Sequence, residues 1–311
     1  MNADFSPHRA GFCAIVGRAN VGKSTLVNRL VGSKVAIVTP KAQTTRHRIL
    51  GIVEQPDAQA VLVDTPGLVL GQAPLPKALR RMARSAAADA DVVVLVVNLR
   101  RGEAALDEGD QAVLQAARRS QAPRIVAVNK VDLLPDKRVL LPWMAAWSEA
   151  EAGEAVVPIS AHTGEGLDAL RAQVMARLPE GPALYPKDTH TDQSERALCG
   201  EFVREQLLLR LQQEVPHSAA VVVEHFEDDR GHPERPLCRI WARIVVERSG
   251  QKAIVIGHGG ETLKAIGQAA RRNIERMLGC QVYLRLDVKV DAAWTSRAEA
   301  FGEYGIAEGT T

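Results

Sequence analysis

Along its first 180 residues the chain alternates short apolar runs with longer polar or alanine-rich stretches. The runs are rich in β-branched side chains and bounded by turn residues, which is typical of strands buried on both faces of a parallel sheet. Five strands are predicted, at Phe12–Val16, Ala60–Val63, Val92–Val97, Ile125–Val128 and Val156–Ile159. A polar segment follows each strand. Because ligands of open α/β sheets bind beyond the carboxyl ends of the strands, we expect these segments to converge in space.

The pattern changes at three closely spaced prolines, which can neither continue a helix nor donate to a sheet ladder. They are Pro179, Pro182 and Pro186. We predict an α/β domain with a mostly parallel sheet at 1–180, a proline-rich linker at 181–192 and a smaller α+β domain at 193–311.

Helical spacing and strict alternation both occur in the smaller domain. A helix is expected to begin with a capping box formed by Asp192 and Glu195 and to stop before Pro216. An acidic loop is expected after His225. Further strands and a helix are predicted at Ala219–His225, Ile240–Val246, Glu261–Met277 and Val282–Val290.

Composition agrees with two globular domains and excludes several other classes of protein. A length of 311 residues corresponds to about two domains, and 46% hydrophobic with 24% charged residues excludes a disordered or fibrous chain. The longest aliphatic run is far shorter than the ~20 residues of a membrane-spanning helix. The first residues lack an apolar stretch of signal-peptide length, so we expect a cytoplasmic protein.

The cysteines and histidines match no metal site. The four cysteines lie far apart in the sequence, without the close pairs of a zinc site or a redox couple. We therefore expect buried thiols in a reducing compartment and no disulfide. The only metal sites expected are those that accompany a nucleotide.

The segment after the first strand matches the phosphate-loop pattern and precedes a predicted helix. It reads Gly17-Arg18-Ala19-Asn20-Val21-Gly22-Lys23-Ser24, with Thr25 next. Glycines let backbone N–H groups turn toward phosphate oxygens, and the helix N-terminus adds partial positive charge. Lys23 is expected to reach the β and γ phosphates and Ser24 to bind Mg²⁺. The pattern predicts a P-loop NTPase domain, an idle glycine-rich turn being the alternative.

A second motif, Asp64-Thr65-Pro66-Gly67, follows the strand Ala60–Val63. Alone, an aspartate before Pro-Gly indicates a tight turn. At this distance beyond a phosphate loop, Asp64 is expected to orient Mg²⁺ and the Gly67 N–H to face the γ-phosphate, with Leu68 beside the nucleotide.

A third motif, Asn129-Lys130-Val131-Asp132, supplies what guanine requires. The Asp132 carboxylate can accept two hydrogen bonds, from the guanine ring N–H and the exocyclic amine, and adenine lacks this donor pair. ATP should therefore bind at least about tenfold more weakly than GTP. Asn129 is expected to tether neighbouring loops and Lys130 to lie across the base. Ser160-Ala161, after the last strand, is expected to present a backbone N–H to the guanine oxygen.

Together these motifs resemble the Era family of bacterial GTPases, and the resemblance covers essentially the whole chain. The segment Lys41–Arg48 resembles the first switch of that family, whose threonine contacts Mg²⁺ and the γ-phosphate; Thr45 is the first choice and Thr44 the second. The resemblance implies GTP and GDP binding, GTP hydrolysis, and a type II KH domain that binds 16S ribosomal RNA near its 3′ end. It also implies a role in maturation of the 30S subunit and peripheral association with the inner membrane, and it implies no oligomer.

Leu68 stands where many GTPases place a glutamine that orients the attacking water. We therefore predict slow intrinsic hydrolysis, with Lys23, Thr45 and Mg²⁺ supplying most of the acceleration. Asn20 matches the asparagine that binds K⁺ in related GTPases lacking that glutamine. Potassium is thus a second candidate ion and Asn20 a third candidate catalytic residue, the alternative being a local role in the loop.

The stretch Ile254–Gly267 is similar to the KH core, in which a GxxG loop between two helices clamps about four nucleotides. The loop contains His258 and no lysine, so phosphate attraction should be weaker and depend on the charge of that histidine. Trp241 and Tyr283 could stack on bases, but packing is the expected role of both. The predicted RNA-binding residues are Lys252, Ile256, Gly257, His258, Gly259, Gly260, Lys264, Arg271 and Arg272.

The charge distribution supports a polyanionic partner. The formal net charge is only +2, but Arg235–Lys289 carries eleven bases against four acids. Such a surplus attracts nucleic acid, although a merely solvated basic face is the simpler explanation of charge alone. Three further interpretations remain open at this point: a scaffold that uses GTP as a structural ligand, an RNA-modification GTPase, and a basic protein of the membrane surface.

Overall fold

The computed structural model describes residues 8–41, 44–46, 48–67, 74–98, 106–150, 152–212, 215–232 and 236–304. They form two compact units. The first unit ends at Asp192 and includes the proline-rich stretch, while the second contains the chain from Gln193 onward and the short segment Ile37–Thr44. Across these described ranges, no helix is both long and apolar enough to span a bilayer.

A six-stranded sheet with the order β2-β3-β1-β4-β5-β6 forms the centre of the first unit. Its strands are β1 (Arg9–Gly17), β2 (Ile49–Gln55), β3 (Ala58–Asp64), β4 (Val92–Asn98), β5 (Arg124–Asn129) and β6 (Ala155–Pro158). Its helices are α1 (Lys23–Val31), α2 (Pro74–Ala88), α3 (Glu108–Ala117), α4 (Leu140–Glu149) and α5 (Leu167–Met175). All strand pairs are parallel except the edge pair β2–β3. The five predicted strands are confirmed, and β2 was missed.

The central strands are apolar throughout because both faces of the sheet are covered. On one face, Ile15, Val94 and Ile125 lie in a core with residues of α1 and α5. On the other, Leu95 and Val126 lie in a core with residues of α3 and α4. Two-sided burial holds the strands in place, and their parallel pairing brings the carboxyl ends of β3, β1, β4, β5 and β6 to the same edge of the sheet.

The second unit is a three-stranded sheet with the order β7-β8-β9 and helices packed on it. Its elements are α6 (Glu195–Arg210), β7 (Ala220–Asp229), β8 (Leu237–Val246), α7 (Ser249–Ile256), α8 (Glu261–Leu278), β9 (Gln281–Val290) and α9 (Glu299–Glu303). Strand β8 pairs antiparallel with β7 and parallel with β9. Along β8, Cys238, Ile240, Ala242 and Ile244 are buried, and the residues between them are partly exposed. The fold class expected from the sequence is confirmed.

Two local predictions for the second unit were wrong. Helix α6 is capped by Ser194, whose hydroxyl accepts a hydrogen bond from the Ala197 N–H at 3.2 Å, and not by Asp192. Ser194 directly precedes the first helical residue with an extended backbone, the position from which a side chain reaches the free N–H groups. The acidic stretch after His225 is strand, because β7 continues to Asp229 with Glu227 opposite Arg239.

The segment Ile37–Thr44, which overlaps the start of the predicted first switch Lys41–Arg48, belongs to the second unit. The Ile37 side chain is buried in the same core cluster as Phe202 of α6. The Val38 N–H donates to Glu205 Oε1 at 3.1 Å, and the Arg204 guanidinium donates to the Thr44 carbonyl. The chain therefore passes from the second unit back to the first between Thr44 and Thr45.

Candidate functional site

The phosphate loop lies between β1 and α1 and is shaped by two residues with positive φ. These are Asn20 (φ 62°) and Gly22 (φ 101°). A Cβ at Gly22 would collide with the Asn129 side-chain nitrogen, so glycine is required there for both conformation and space. The loop is thus held in one tight shape against a residue of the predicted guanine site.

Lys23 is 6% exposed, and its ammonium group closes the phosphate loop. Its Nζ donates to the Arg18 carbonyl at 2.9 Å and to the Gly17 carbonyl at 3.2 Å. Burial lowers the pKa of Lys23 to about 8, and the negative charge of Asp64 opposes that shift. The ammonium charge of Lys23 is poorly solvated in this buried position. A bound phosphate would compensate that charge, so the site favours an anion.

Three oxygen-bearing side chains meet beside this lysine. Asp64 Oδ2 accepts hydrogen bonds from Ser24 Oγ at 2.6 Å and from Thr45 Oγ1 at 3.2 Å, and the two hydroxyls lie 3.0 Å apart. One carboxylate and two hydroxyls are the hard oxygen ligands that Mg²⁺ prefers, so the donor set fits this ion. The neighbouring Thr44 is not part of this cluster, because its hydroxyl donates to the Lys41 carbonyl at 2.7 Å.

The motif after β3 packs tightly on the phosphate loop. Thr65 Oγ1 donates to the Ile15 carbonyl at 2.8 Å, which fixes the segment to β1. A Cβ at Gly67 would lie 2.8 Å from the Ala19 backbone and 3.2 Å from Lys23 Nζ, so a larger residue would not fit. Pro66, between Thr65 and Gly67 in the sequence, is buried. Leu68 lies outside the described residues.

The predicted guanine site is joined to the phosphate loop by Asn129. Its side-chain nitrogen donates to the Val21 carbonyl at 2.8 Å, and its oxygen accepts from the Ala161 N–H at 2.9 Å. Lys130, with φ 67°, donates to the Asn20 carbonyl at 2.9 Å. Three segments that are distant in the sequence thus form one connected network.

The remaining residues of this site differ in exposure. Asp132 is exposed on a short 3₁₀ turn, where its carboxylate is accessible to a base. Ser160 is fully buried, and its N–H donates to the Glu165 carbonyl at 2.9 Å. The Ala161 N–H is bonded to Asn129, so each of the two candidates for the single N–H expected to face guanine has a partner within the protein.

Arg18 has partners that no sequence motif predicted. Its guanidinium bonds both carboxylate oxygens of Asp107, at 2.9 and 3.0 Å, and lies 3.9 Å from Asp110. A Cβ at Gly109 would lie 2.6 Å from this guanidinium, so the glycine leaves the space that the arginine occupies. An acidic helix start, Asp-Glu-Gly-Asp, was the available signal, but it reads equally well as ordinary helix capping.

In the second unit, the GxxG segment forms a turn whose backbone conformation favours glycine at three positions. Gly257, Gly259 and Gly260 have φ of 75°, 54° and 84°, and a Cβ at Gly257 would collide with Thr262. The turn leads directly into the N-terminus of α8. Backbone N–H groups at such a helix start favour a phosphate.

An open groove of about 490 Å³ lies between α8 and β9. Residues at helical spacing on one face of α8 form one wall, with Gly267 in contact with Leu286 of β9. The groove is lined by Gly260, Leu263, Lys264, Gly267, Gln268, Arg271, Tyr283, Leu284 and Leu286. Two basic side chains therefore face an apolar floor, an arrangement that suits a strand of nucleotides.

Not all of the predicted RNA-binding residues line this groove. The lining includes Gly260, Lys264 and Arg271. The other predicted residues lie outside it, among them Lys252 on α7 and Arg272 on α8. The expectation that Tyr283 packs in the core was wrong, because it is 52% exposed and lines the groove. The alternation along β9 gave the signal, since Val282 and Leu284 face inward.

Two family models match the chain, the first over the phosphate loop and most of the nucleotide site, the second over the GxxG turn and the groove. A model described as 50S ribosome-binding GTPase matches residues 12–130, and a KH domain model matches residues 214–295. Fold and sites together define a P-loop GTPase followed by a KH domain.

Relatives of known type match the chain over almost its full length. GTPase Era of Xanthomonas oryzae pv. oryzae is 44% identical over 98% of this chain and 99% of the relative. GTPase Era of Stenotrophomonas maltophilia is 43% identical over 96% and 98%. The chain belongs to the Era family of GTPases, and it catalyses hydrolysis of GTP to GDP and phosphate.

Solved structures agree with this assignment. An Aquifex aeolicus Era bound to GDP and AlF₄⁻ matches with a TM-score of 0.90 and 36% identity, over 96% of this chain and 100% of the other. An Era in complex with MgGDPNP and nucleotides 1506–1542 of 16S ribosomal RNA also matches with a TM-score of 0.90 and 36% identity, over 97% and 100%.

Proposed function

We propose that this GTPase is a nucleotide-controlled RNA-binding switch, which binds 16S ribosomal RNA near its 3′ end and assists maturation of the 30S subunit. One observation carries the RNA half of this proposal: the GxxG turn leads into a groove with Lys264 and Arg271 on one wall. The related Era with 16S nucleotides 1506–1542 gives the class of RNA. GTP orders the segments around Thr45 and Gly67, and hydrolysis releases that state.

Each residue of the nucleotide site has a proposed role. Lys23 contacts the β and γ phosphates, and Asp132 recognises guanine. Bound Mg²⁺, held by Ser24, Thr45 and Asp64, offsets negative charge on the phosphates. The wider nucleotide-binding set consists of Gly17, Arg18, Ala19, Asn20, Val21, Gly22, Thr25, Thr44, Thr65, Pro66, Gly67, Leu68, Asn129, Lys130, Val131, Ser160 and Ala161.

The intrinsic reaction is proposed to be slow and to depend on potassium. Asn20 lies at the apex of the phosphate loop, and its positive φ is a conformation that asparagine tolerates better than most residues. The test compares single-turnover GTP hydrolysis in KCl and NaCl at equal ionic strength. A faster rate in KCl that Asn20→Ala abolishes supports the ion site, whereas equal rates leave Asn20 with its loop role only.

The RNA proposal is tested with an oligonucleotide from the 3′ end of 16S RNA. We expect tighter binding with a non-hydrolysable GTP analogue than with GDP, and weak binding of a scrambled sequence in both states. Equal affinity for the two sequences would contradict the assignment. Single-turnover hydrolysis with and without the RNA separates a switch from a scaffold, because a scaffold's hydrolysis rate is unaffected by RNA.

Location in the cytoplasm with peripheral association at the inner membrane completes the proposal, and it is supported by the family resemblance. The measurement is co-flotation with liposomes. Association through a basic surface predicts binding that requires anionic lipid and decreases with salt. Absence of binding at low salt would remove the membrane from the proposal.

A further inference from the structure

Two cysteines that are distant in the sequence lie in contact in the second unit. Cys238 is the second residue of β8, and Cys280 lies between α8 and β9. Their sulfur atoms are 3.5 Å apart. The parallel register explains this contact, because Cys238 is opposite Val282, two residues beyond Cys280.

The two thiols have different surroundings. Cys280 is partly exposed, whereas Cys238 is buried and donates a hydrogen bond to Asp228 Oδ1 at 3.6 Å. Burial raises the pKa of Cys238 to about 12, which keeps that thiol protonated and unreactive by itself. A small oxidant therefore meets Cys280 first, with Cys238 already in place as its neighbour.

A metal site is not the explanation for this cluster. Cys199 of α6 lies in the same core cluster as Cys238. Yet among the residues that the structure describes, no group of three or more histidine, cysteine or acidic side chains could hold a metal ion. Two sulfurs in contact, one of them accessible, instead have the arrangement of an attacked and a resolving thiol.

We propose that Cys238 and Cys280 are a redox modification site, which a peroxide converts into a reversible disulfide. The Cys280 thiolate attacks one peroxide oxygen and the O–O bond breaks, which gives Cys280–SOH and hydroxide. The Cys238 sulfur then attacks the Cys280 sulfur, the S–O bond breaks, and the hydroxyl leaves as water with the Cys238 proton. The proton that Cys280 released on ionising converts the hydroxide into a second water, so that two thiols and one H₂O₂ give one disulfide and two H₂O. A dithiol reductant reverses the bond by exchange.

The position of the bond determines its effect. The closed loop would contain α7, the GxxG turn and all of α8, so the helix that forms one wall of the groove would lie inside one covalent ring. The GxxG turn is at the opposite end of the 18-residue α8, about 27 Å away. We therefore expect the bond to resist unfolding of the second unit and to leave RNA affinity within about twofold.

The test uses the full-length protein treated with H₂O₂, followed by catalase, blocking of free thiols in denaturant, and peptide mass spectrometry. We expect one linked pair of peptides, one containing Cys238 and the other Cys280. Its mass should be two hydrogens below the sum of the two reduced peptides, and dithiothreitol should separate it. Cys280→Ser should abolish the link, and the control Cys199→Ser should retain it. Oxidation should raise the unfolding midpoint by about 5 °C or more in the native sequence and not in Cys280→Ser.

Two outcomes would overturn the proposal. One is full alkylation of both thiols after peroxide treatment. The other is oxidation of Cys280 to sulfinic or sulfonic acid while Cys238 stays a free thiol, since this shows that Cys238 does not resolve the intermediate.

Discussion

The nucleotide site and the RNA groove are assembled from the sequence in opposite ways. Lys23, Asp64 and Asn129 come from distant parts of the chain, and the sheet brings them together at the ends of β1, β3 and β5. The groove instead takes one wall from a single helix, in which Lys264 and Arg271 are two turns apart. Buried hydrogen bonds connect the first site, whereas the second is open to water.

This difference determines how each site should respond to change. In the nucleotide site each group has a separate task, so one substitution removes an interaction that nothing else can replace, and large effects are expected. In the open groove each basic side chain adds an independent and screened attraction to phosphate.

The largest effect is expected at Asp132. Asp132→Asn removes the negative charge and replaces one of the two acceptor oxygens by an N–H₂ donor, which faces the guanine amine, and we expect GTP affinity to fall about 100-fold or more. The same variant should gain affinity for xanthosine triphosphate, whose base offers an acceptor where guanine has an amine. Calorimetric titration with both nucleotides measures this exchange.

The matched control for that experiment is Asp136→Asn. Asp136 is four residues away, and its carboxylate pairs with Arg138 at 2.8 Å on the surface. GTP affinity should be unchanged in the control. If both variants lose GTP equally, the loss comes from local charge and the base-recognition role is wrong.

The RNA groove should show smaller, graded losses. Lys264→Ala and Arg271→Ala should each weaken binding of the 16S oligonucleotide about tenfold at low salt and reduce the slope of log K against log salt by about 1. Arg272→Ala is the control, because this neighbour lies outside the groove lining. Fluorescence anisotropy across a salt series measures all three. An equal effect of Arg272→Ala would show that net charge, and not the groove, governs affinity.

The same contrast explains what the sequence could predict. The central strands were found because two-sided burial leaves an unbroken apolar run, as in Val92–Val97. The edge strand β2 was missed although Ile49–Val53 is buried, because Gly51 interrupts its apolar run and glycine is disfavoured inside strands. The nucleotide motifs were found because phosphate, magnesium and guanine each require particular residues in a particular order.

Contacts that depend on register or on surface placement could not be found this way. The pairing of Arg18 with Asp107 and the contact between Cys238 and Cys280 join residues with no recognisable spacing. Tyr283 was assigned wrongly because its hydrophobicity was weighed above the alternation of its strand. The roles given to individual site residues stay predictions, which substitution must test.

A smaller effect is expected from pH at the nucleotide site. Because burial lowers the pKa of Lys23 to about 8 in the free protein, the lysine is charged at pH 7 and mostly neutral at pH 8.5. Phosphate favours the charged form, so binding at pH 8.5 must take up about 0.8 proton, and affinity should fall about fourfold between these pH values. Calorimetry in two buffers of different ionisation enthalpy measures the uptake. No proton uptake at pH 8.5 would show that Lys23 remains charged in the free site.

The smallest effect is expected at Arg18, where the nucleotide site reaches the surface and should behave like the groove. The Arg18 side chain is 40% exposed, so its ion pair with Asp107 is screened by water. We expect Arg18→Ala to weaken binding of a fluorescent GDP analogue about threefold at low salt, and salt near 1 M to remove the difference. The exposed Arg138→Ala is the control for lost surface charge. A double-mutant cycle with Asp107→Asn isolates the pair, since asparagine can still cap α3. A loss that persists in high salt would mean that Arg18 supports the loop through its packing around Gly109, and the connected part of the site would then extend to α3.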